Sequence, residues 1–320
     1  LQPHCFRSSS ATESGKPKIM YHDFDYERTL ASSLRAQWML DDVLREDEDL
    51  DFTRNFMPES LARTAALGSL APTEQRILNQ ISAHQYLSIF GIVEEFILPF
   101  LLDHARQVVR EDDWRIRALL NFAGEEAKHI HLFKRFHSAF VRGFPVECEV
   151  IGPSEAISAE VLRHDPLAVA LLILMIEWMT QQHYLGSIRD DGDLDPLFKS
   201  LMKHHWMEEA QHAKLDTLIV ETLAKGRSEE QFEKAIDEFF EIGAFLDQGL
   251  KTQAGFNVDA LERALGRSIE NREEIVAEQH QAARWTYIGS GMVHERFRES
   301  LLSLSPFAAW RIADAAPQFA

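Results

Sequence analysis

Two five-residue stretches, Glu125-Glu126-Ala127-Lys128-His129 and Glu208-Glu209-Ala210-Gln211-His212, carry the same donor pattern, a Glu followed three positions later by a His. Three residues along an α-helix turn through about 300°. A Glu and a His at that spacing share a face and can hold one metal ion from adjacent turns. A lone pair of this kind means little, because Glu and His are common on solvated helix faces. Their separation makes these two informative: 209 − 126 is 83, and at the same offset Glu94 is matched by Glu177. The offset selects Glu94 rather than its neighbour Glu95 as the inward residue.

Bundles that hold two iron ions between four helices draw one Glu from each of two helices and a Glu-x-x-His from each of the other two. Here the order is Glu94, then Glu126 and His129, then Glu177, then Glu209 and His212. Glu177 is the hardest of these to explain in any other way. It interrupts the run Leu167 to Met179, which is apolar around its whole circumference and predicts a helix buried on all sides. An ionised carboxylate in that setting is costly unless a cation or several donors compensate it, and the run contains no basic residue.

His205 stands four residues before Glu209 and completes His-x-x-x-Glu-x-x-His on one helix face, which offers a third nitrogen ligand. Its counterpart at the 83-residue offset is Phe122, so His205 breaks the repeat. The alternative role for it is support of the ligands from outside the metal shell. His84, His104, His131, His137, His183, His204, His280 and His294 have no such register and read as surface or packing residues. Carboxylates and imidazoles without thiolate suit iron or manganese, and the paired carboxylate set suits iron with dioxygen; zinc fits it poorly.

Four helices must position these donors. Helical patterns run from about Thr73 to Val109, from about Trp114 to Val141 after the acidic start Glu111-Asp112-Asp113, from Asp165-Pro166 to about Leu185, and from Asp195-Pro196 to Lys225-Gly226. Asp before Pro is a strong helix start, and Gly a common end. A linker of some twenty residues separates the two pairs. Further amphipathic stretches, from about Tyr26 to Glu48, Ser228 to Gln253 and Arg267 to Leu304, predict flanking helices, and no alternating pattern predicts a sheet. The expectation is an all-α, ferritin-like four-helix bundle with additional flanking helices, one domain over residues 20–320 with its core at about 73–225.

Composition narrows the partners. The 320-residue chain has a formal charge of −18, which argues against nucleic acid or an anionic membrane, since each calls for a positive surface. Cys5 and Cys148 are the two cysteines, so neither a disulfide framework nor a thiolate metal site is expected, and a reducing, cytoplasmic compartment fits. The longest apolar run falls short of the ~20 residues a transmembrane helix needs. Residues 1–19, rich in Ser, Lys and Pro without an apolar stretch, read as a disordered leader outside the fold.

At the donor residues the sequence resembles the p-aminobenzoate N-oxygenase family of non-haem di-iron oxygenases, and His205-x-x-x-Glu209-x-x-His212 is the most specific match. The similarity covers about Tyr86 to Thr217 and, with a similar overall length, extends to the chain from Tyr21 onward. The resemblance implies that Glu94, Glu126, His129, Glu177, His205, Glu209 and His212 bind two irons. It implies a peroxo-di-iron oxidant that oxygenates the nitrogen of an arylamine or other small amine, with electrons from an external donor such as a reductase. A homodimer is expected. Two alternatives stand: a di-iron hydroxylase or desaturase of C–H bonds, which generally lacks the additional His, and ferritin-like iron storage or peroxide detoxification.

Overall fold

In the computed structural model, residues 21–110 and 112–319 are described; the expected leader over 1–19 lies outside them. The helices are α1 (Tyr26–Ala36), α2 (Leu40–Val43), α3 (Glu59–Ala62), α4 (Pro72–Val108), α5 (Asp113–Gly143), α6 (Ser154–Leu162), α7 (Pro166–His183), α8 (Pro196–Ala224), α9 (Glu229–Leu265), α10 (Arg272–Arg284), α11 (Ser290–Met292), α12 (Glu295–Leu304) and α13 (Pro306–Ala315). No strand occurs among the described residues; Asn55 and Leu194 form an isolated bridge. The fold is an all-α bundle whose connectivity, two short-linked helix pairs joined by one crossover, is that of ferritin-like bundles.

Its four central helices form two pairs, α4 with α5 and α7 with α8, each joined by a short connection. The chain crosses between the pairs over residues 144–165, which include α6. Three of the four starts are closed by an Asp side chain: Asp112 accepts from the Arg115 amide, Asp165 from that of Leu167 and Asp195 from that of Phe198. These bonds satisfy amide groups that a helix N-terminus otherwise leaves unpaired. They also fix where each helix begins, and so the depth at which its donors sit.

Every residue from Leu167 to Gln181 is buried, so α7 is a central rod enclosed on all sides. α8 packs against it on one side and α9 on another, while α11 lies across its far end. That last crossing depends on Gly291, where an added Cβ would lie 2.7 Å from the Met175 Cγ. α4, at 37 residues, is long and apolar enough by composition to cross a bilayer, but 61% of its most apolar window is buried inside the bundle, as in a core helix.

Four sequence expectations need correction. The helix expected over about 26–48 breaks after Ala36, and Gln37 to Met39 are extended, which turns the Trp38 ring inward onto His129. The helix expected to end near Gln253 continues to Leu265 and stops at Gly266, whose φ of 64° is the left-handed cap conformation that glycine tolerates. The stretch from Arg267 to Leu304 divides into α10, a π-helical turn Trp285–Gly289, α11 and α12. Beyond it lies α13, capped by Ser305 and opened by Pro306, a start signal that the periodicity reading passed over.

Candidate metal centre

α4 contributes Glu94, α5 Glu126 and His129, α7 Glu177, and α8 His205, Glu209 and His212; all seven are buried. The structure gathers six of them into two overlapping groups. Glu94, His129, His205 and Glu209 place ligand atoms within 4.8 Å of one another, and so do Glu126, His129, Glu209 and His212. Glu209 is the hinge of the arrangement. Its Oε1 lies 3.1 Å from His129 Nδ1 and 3.0 Å from His205 Nε2, and its Oε2 lies 3.3 Å from His212 Nδ1. His205 Nε2 is also 3.1 Å from Glu94 Oε1, and His212 Nδ1 is 2.8 Å from Glu126 Oε1. Glu177 stands outside both groups, hydrogen-bonded to Glu209. The neighbour rejected by the offset, Glu95, pairs with Lys134 at the surface.

These residues fit a pair of divalent ions. Glu94 Oε2, Glu126 Oε1 and Oε2, Glu177 Oε2, His129 Nδ1 and His212 Nδ1 are all buried without a hydrogen-bond partner. Polar atoms are rarely left so in an interior. The buried carboxylates also concentrate the negative charge that would offset divalent cations in a dry site.

A second layer holds the candidate ligands, and sequence reasoning missed it. Glu208 accepts from His129 Nε2 at 2.9 Å, and Glu125 from His212 Nε2 at 3.0 Å. Each anchors the histidine of the opposite motif. The arrangement leaves each Nδ1 lone pair facing the centre, as metal-bound histidines require. Glu208 minus Glu125 is again 83, so the repeat that pointed to the candidate ligands also contained the residues that hold them. A residue one position from an inward ligand is rotated by about 100° and points at the neighbouring helix. Further out, Ser33 donates to Glu125 at 2.6 Å, and Lys128 pairs with Glu208 while its Nζ lies 3.9 Å from the centre of the Trp38 ring.

The proton balance follows from the same contacts. Burial opposes charging of His129, but the Glu208 carboxylate on its Nε2 and the negative charges of Glu209 and Glu126 prevail and push its pKa up to about 9. His212 is likewise raised well above the usual range, with Glu209 and Glu126 outweighing burial. Burial, reinforced by the Glu209 charge, raises Glu177 well above the usual carboxylate range, whereas Glu209 is held well below it by His205 and His212 despite its burial. Without metal, therefore, protons occupy positions that cations would take.

Residues 28–245 match the sequence profile of the family described as p-aminobenzoate N-oxygenase AurF. The chain belongs to that family. All seven candidate ligands lie inside the region matched to the AurF profile, and so do Glu125 and Glu208. No curated protein is matched. Among solved structures, a variant of an R2-like ligand-binding oxidase with an aerobically reconstituted Mn/Fe cofactor is similar at 13% identity over 87% of this chain and 98% of its own, with a TM-score of 0.43. A second variant, with an Fe/Fe cofactor, is similar at 15% identity over 84% and 96%, also at 0.43. Membership of the AurF family makes the protein an oxidoreductase of the oxygenase kind, and its buried His and Glu clusters could hold two metal ions.

Proposed function

We propose that the protein is a di-iron N-oxygenase acting on a small arylamine. The observation that carries this reading is His205. It joins Glu94, His129 and Glu209 in one ligand group, so the two groups together offer three imidazoles and three carboxylates, with Glu177 hydrogen-bonded to Glu209 beside them. Hydroxylase and desaturase centres built on the same paired motifs generally lack that third imidazole. With two irons bound, the centre would take dioxygen, two electrons and two protons and deliver one oxygen atom to the amine nitrogen, releasing the other as water.

The residues of the chain have separable tasks in this reading. Glu94, Glu126, His129, Glu177, His205, Glu209 and His212 hold the two ions; Glu125 and Glu208 fix the tautomers of His212 and His129. Lys128 and the Trp38 ring cover Glu208 and keep water from its carboxylate. A separate reductase supplies the electrons, and the protein works as a homodimer in a reducing cytoplasm, in keeping with the unpaired Cys148.

The test is His205→Ala. Both Glu-x-x-His motifs survive in this variant, so two irons should still bind, while the oxygenated species seen by stopped-flow absorbance should decay faster and hydroxylamine formation should fall. An outer-sphere role instead predicts a loss on the order of 10–100-fold with an unchanged spectrum. A wild-type spectrum and lifetime in the variant would remove His205 from the ligand set, and with it the ground for preferring nitrogen over carbon as the site of attack.

A further inference from the structure

Against the Glu94 and Glu177 side of the centre lies a cavity of about 50 Å³ between α4, α6, α7, α9 and the π-helical turn Trp285–Gly289. At its inner end is Phe90, one turn before Glu94 and with its ring 5.7 Å from that of His205. Its walls include Val93 and Ile176, which immediately precede Glu94 and Glu177. Ile157 and Leu246, at its outer end, are only partly buried, so the cavity leads from the surface to the edge of the metal ligands. No Lys, Arg, His, Asp or Glu lines it. Tyr287 brings the one hydroxyl among its lining residues; its oxygen accepts from the Gln85 side-chain amide, whose Oε1 in turn accepts from Asn257.

We infer that this cavity is the substrate's seat and that it selects an arylamine with no ionised group, rejecting p-aminobenzoate itself. This rests on the N-oxygenase reading above. A benzoate carboxylate is ionised at neutral pH, and here it would be stripped of water with no cation to receive it and one phenol, Tyr287, as its sole side-chain donor among the lining residues. An alkylamine fails for the same reason, since its nitrogen is protonated at neutral pH and meets no acceptor. An arylamine nitrogen is neutral, and its ring suits aliphatic and aromatic walls. Because the empty space is small, the ring enters by displacing movable side chains such as Met179 and the partly exposed Leu246.

Equilibrium binding to the iron-loaded protein, measured by calorimetry, separates the possibilities without relying on turnover. p-Toluidine and p-aminobenzoate share a shape and differ in charge; p-toluidine should bind more tightly by more than about 100-fold. Leu246→Trp, at the outer end and away from the ligands, should weaken p-toluidine by about tenfold with iron content unchanged. Ile157→Lys should improve p-aminobenzoate by about tenfold by supplying the missing cation. Equal or tighter binding of p-aminobenzoate by the unaltered protein, or indifference of p-toluidine to Leu246→Trp, overturns the assignment. Selective binding of p-toluidine with no hydroxylamine formed on addition of dioxygen and reductant upholds the cavity and overturns the N-oxygenase reading instead.

Discussion

Metal-free Glu209→Ala protein is expected to melt below wild type and to take up neither iron. Glu209 alone among the carboxylates belongs to both ligand groups, and its two oxygens face three histidines. Its removal leaves His129, which holds a proton up to about pH 9, and His212 with less of the negative charge that stabilises their protonated forms. Breaking a buried charge pair in this way costs roughly 3–5 kcal/mol, or a fall of roughly 5–10 °C in melting temperature for a chain of this size. Iron affinity should fall beyond the 10–100-fold typical of losing an outer-sphere partner. Calorimetric melting and iron analysis check both outcomes, and retention of one tightly bound iron per chain would show that Glu209 does not join the two positions.

The opposite sign is expected for Glu177→Leu. Glu177 sits in the fully buried middle of α7, where burial and the Glu209 charge favour its protonated form and its Oε2 lacks any partner. An unsatisfied buried polar group costs about 1–3 kcal/mol, so a leucine of similar bulk should raise the melting temperature of metal-free protein by about 2–6 °C. The gain should grow with pH. The unfolded chain loses this proton near the ordinary glutamate value of 4.5, whereas the folded chain retains it to higher pH, so wild type loses stability as pH rises through that interval. The same variant should lose iron. A lower melting temperature at pH 8 would contradict the view of Glu177 as a group tolerated for its ligand role rather than for folding.

The two variants together explain what the sequence made legible. Glu177 could be singled out because a carboxylate in an otherwise apolar helix violates a simple energetic rule, and Glu209 because an 83-residue offset tied it to Glu126. Asp-Pro starts located α7 and α8 closely, since capping is a local property. Glu125 and Glu208 escaped notice because their partners lie on another helix, and only the crossing of α5 and α8 brings each to the other's histidine. Trp38 was absorbed into an expected helix for the same reason: Lys128 and His129, which hold it in an extended segment, are distant in sequence. The apolar cavity draws on α4, α6, α7, α9 and the π-helical turn, so no single stretch announces it.

Anaerobic titration of the metal-free protein with ferrous iron tests the central claim most directly. Two irons per chain should bind, with release of protons at pH 7, because His129 and His212 must lose theirs to become ligands and Glu177 must ionise. Affinity should climb as pH rises toward about 9, where His129 gives up its proton unaided. Admission of dioxygen to the loaded protein should then give a transient absorbing species. A single ion per chain, bound without proton release and without any spectral response to dioxygen, would contradict the dinuclear centre on which the account depends.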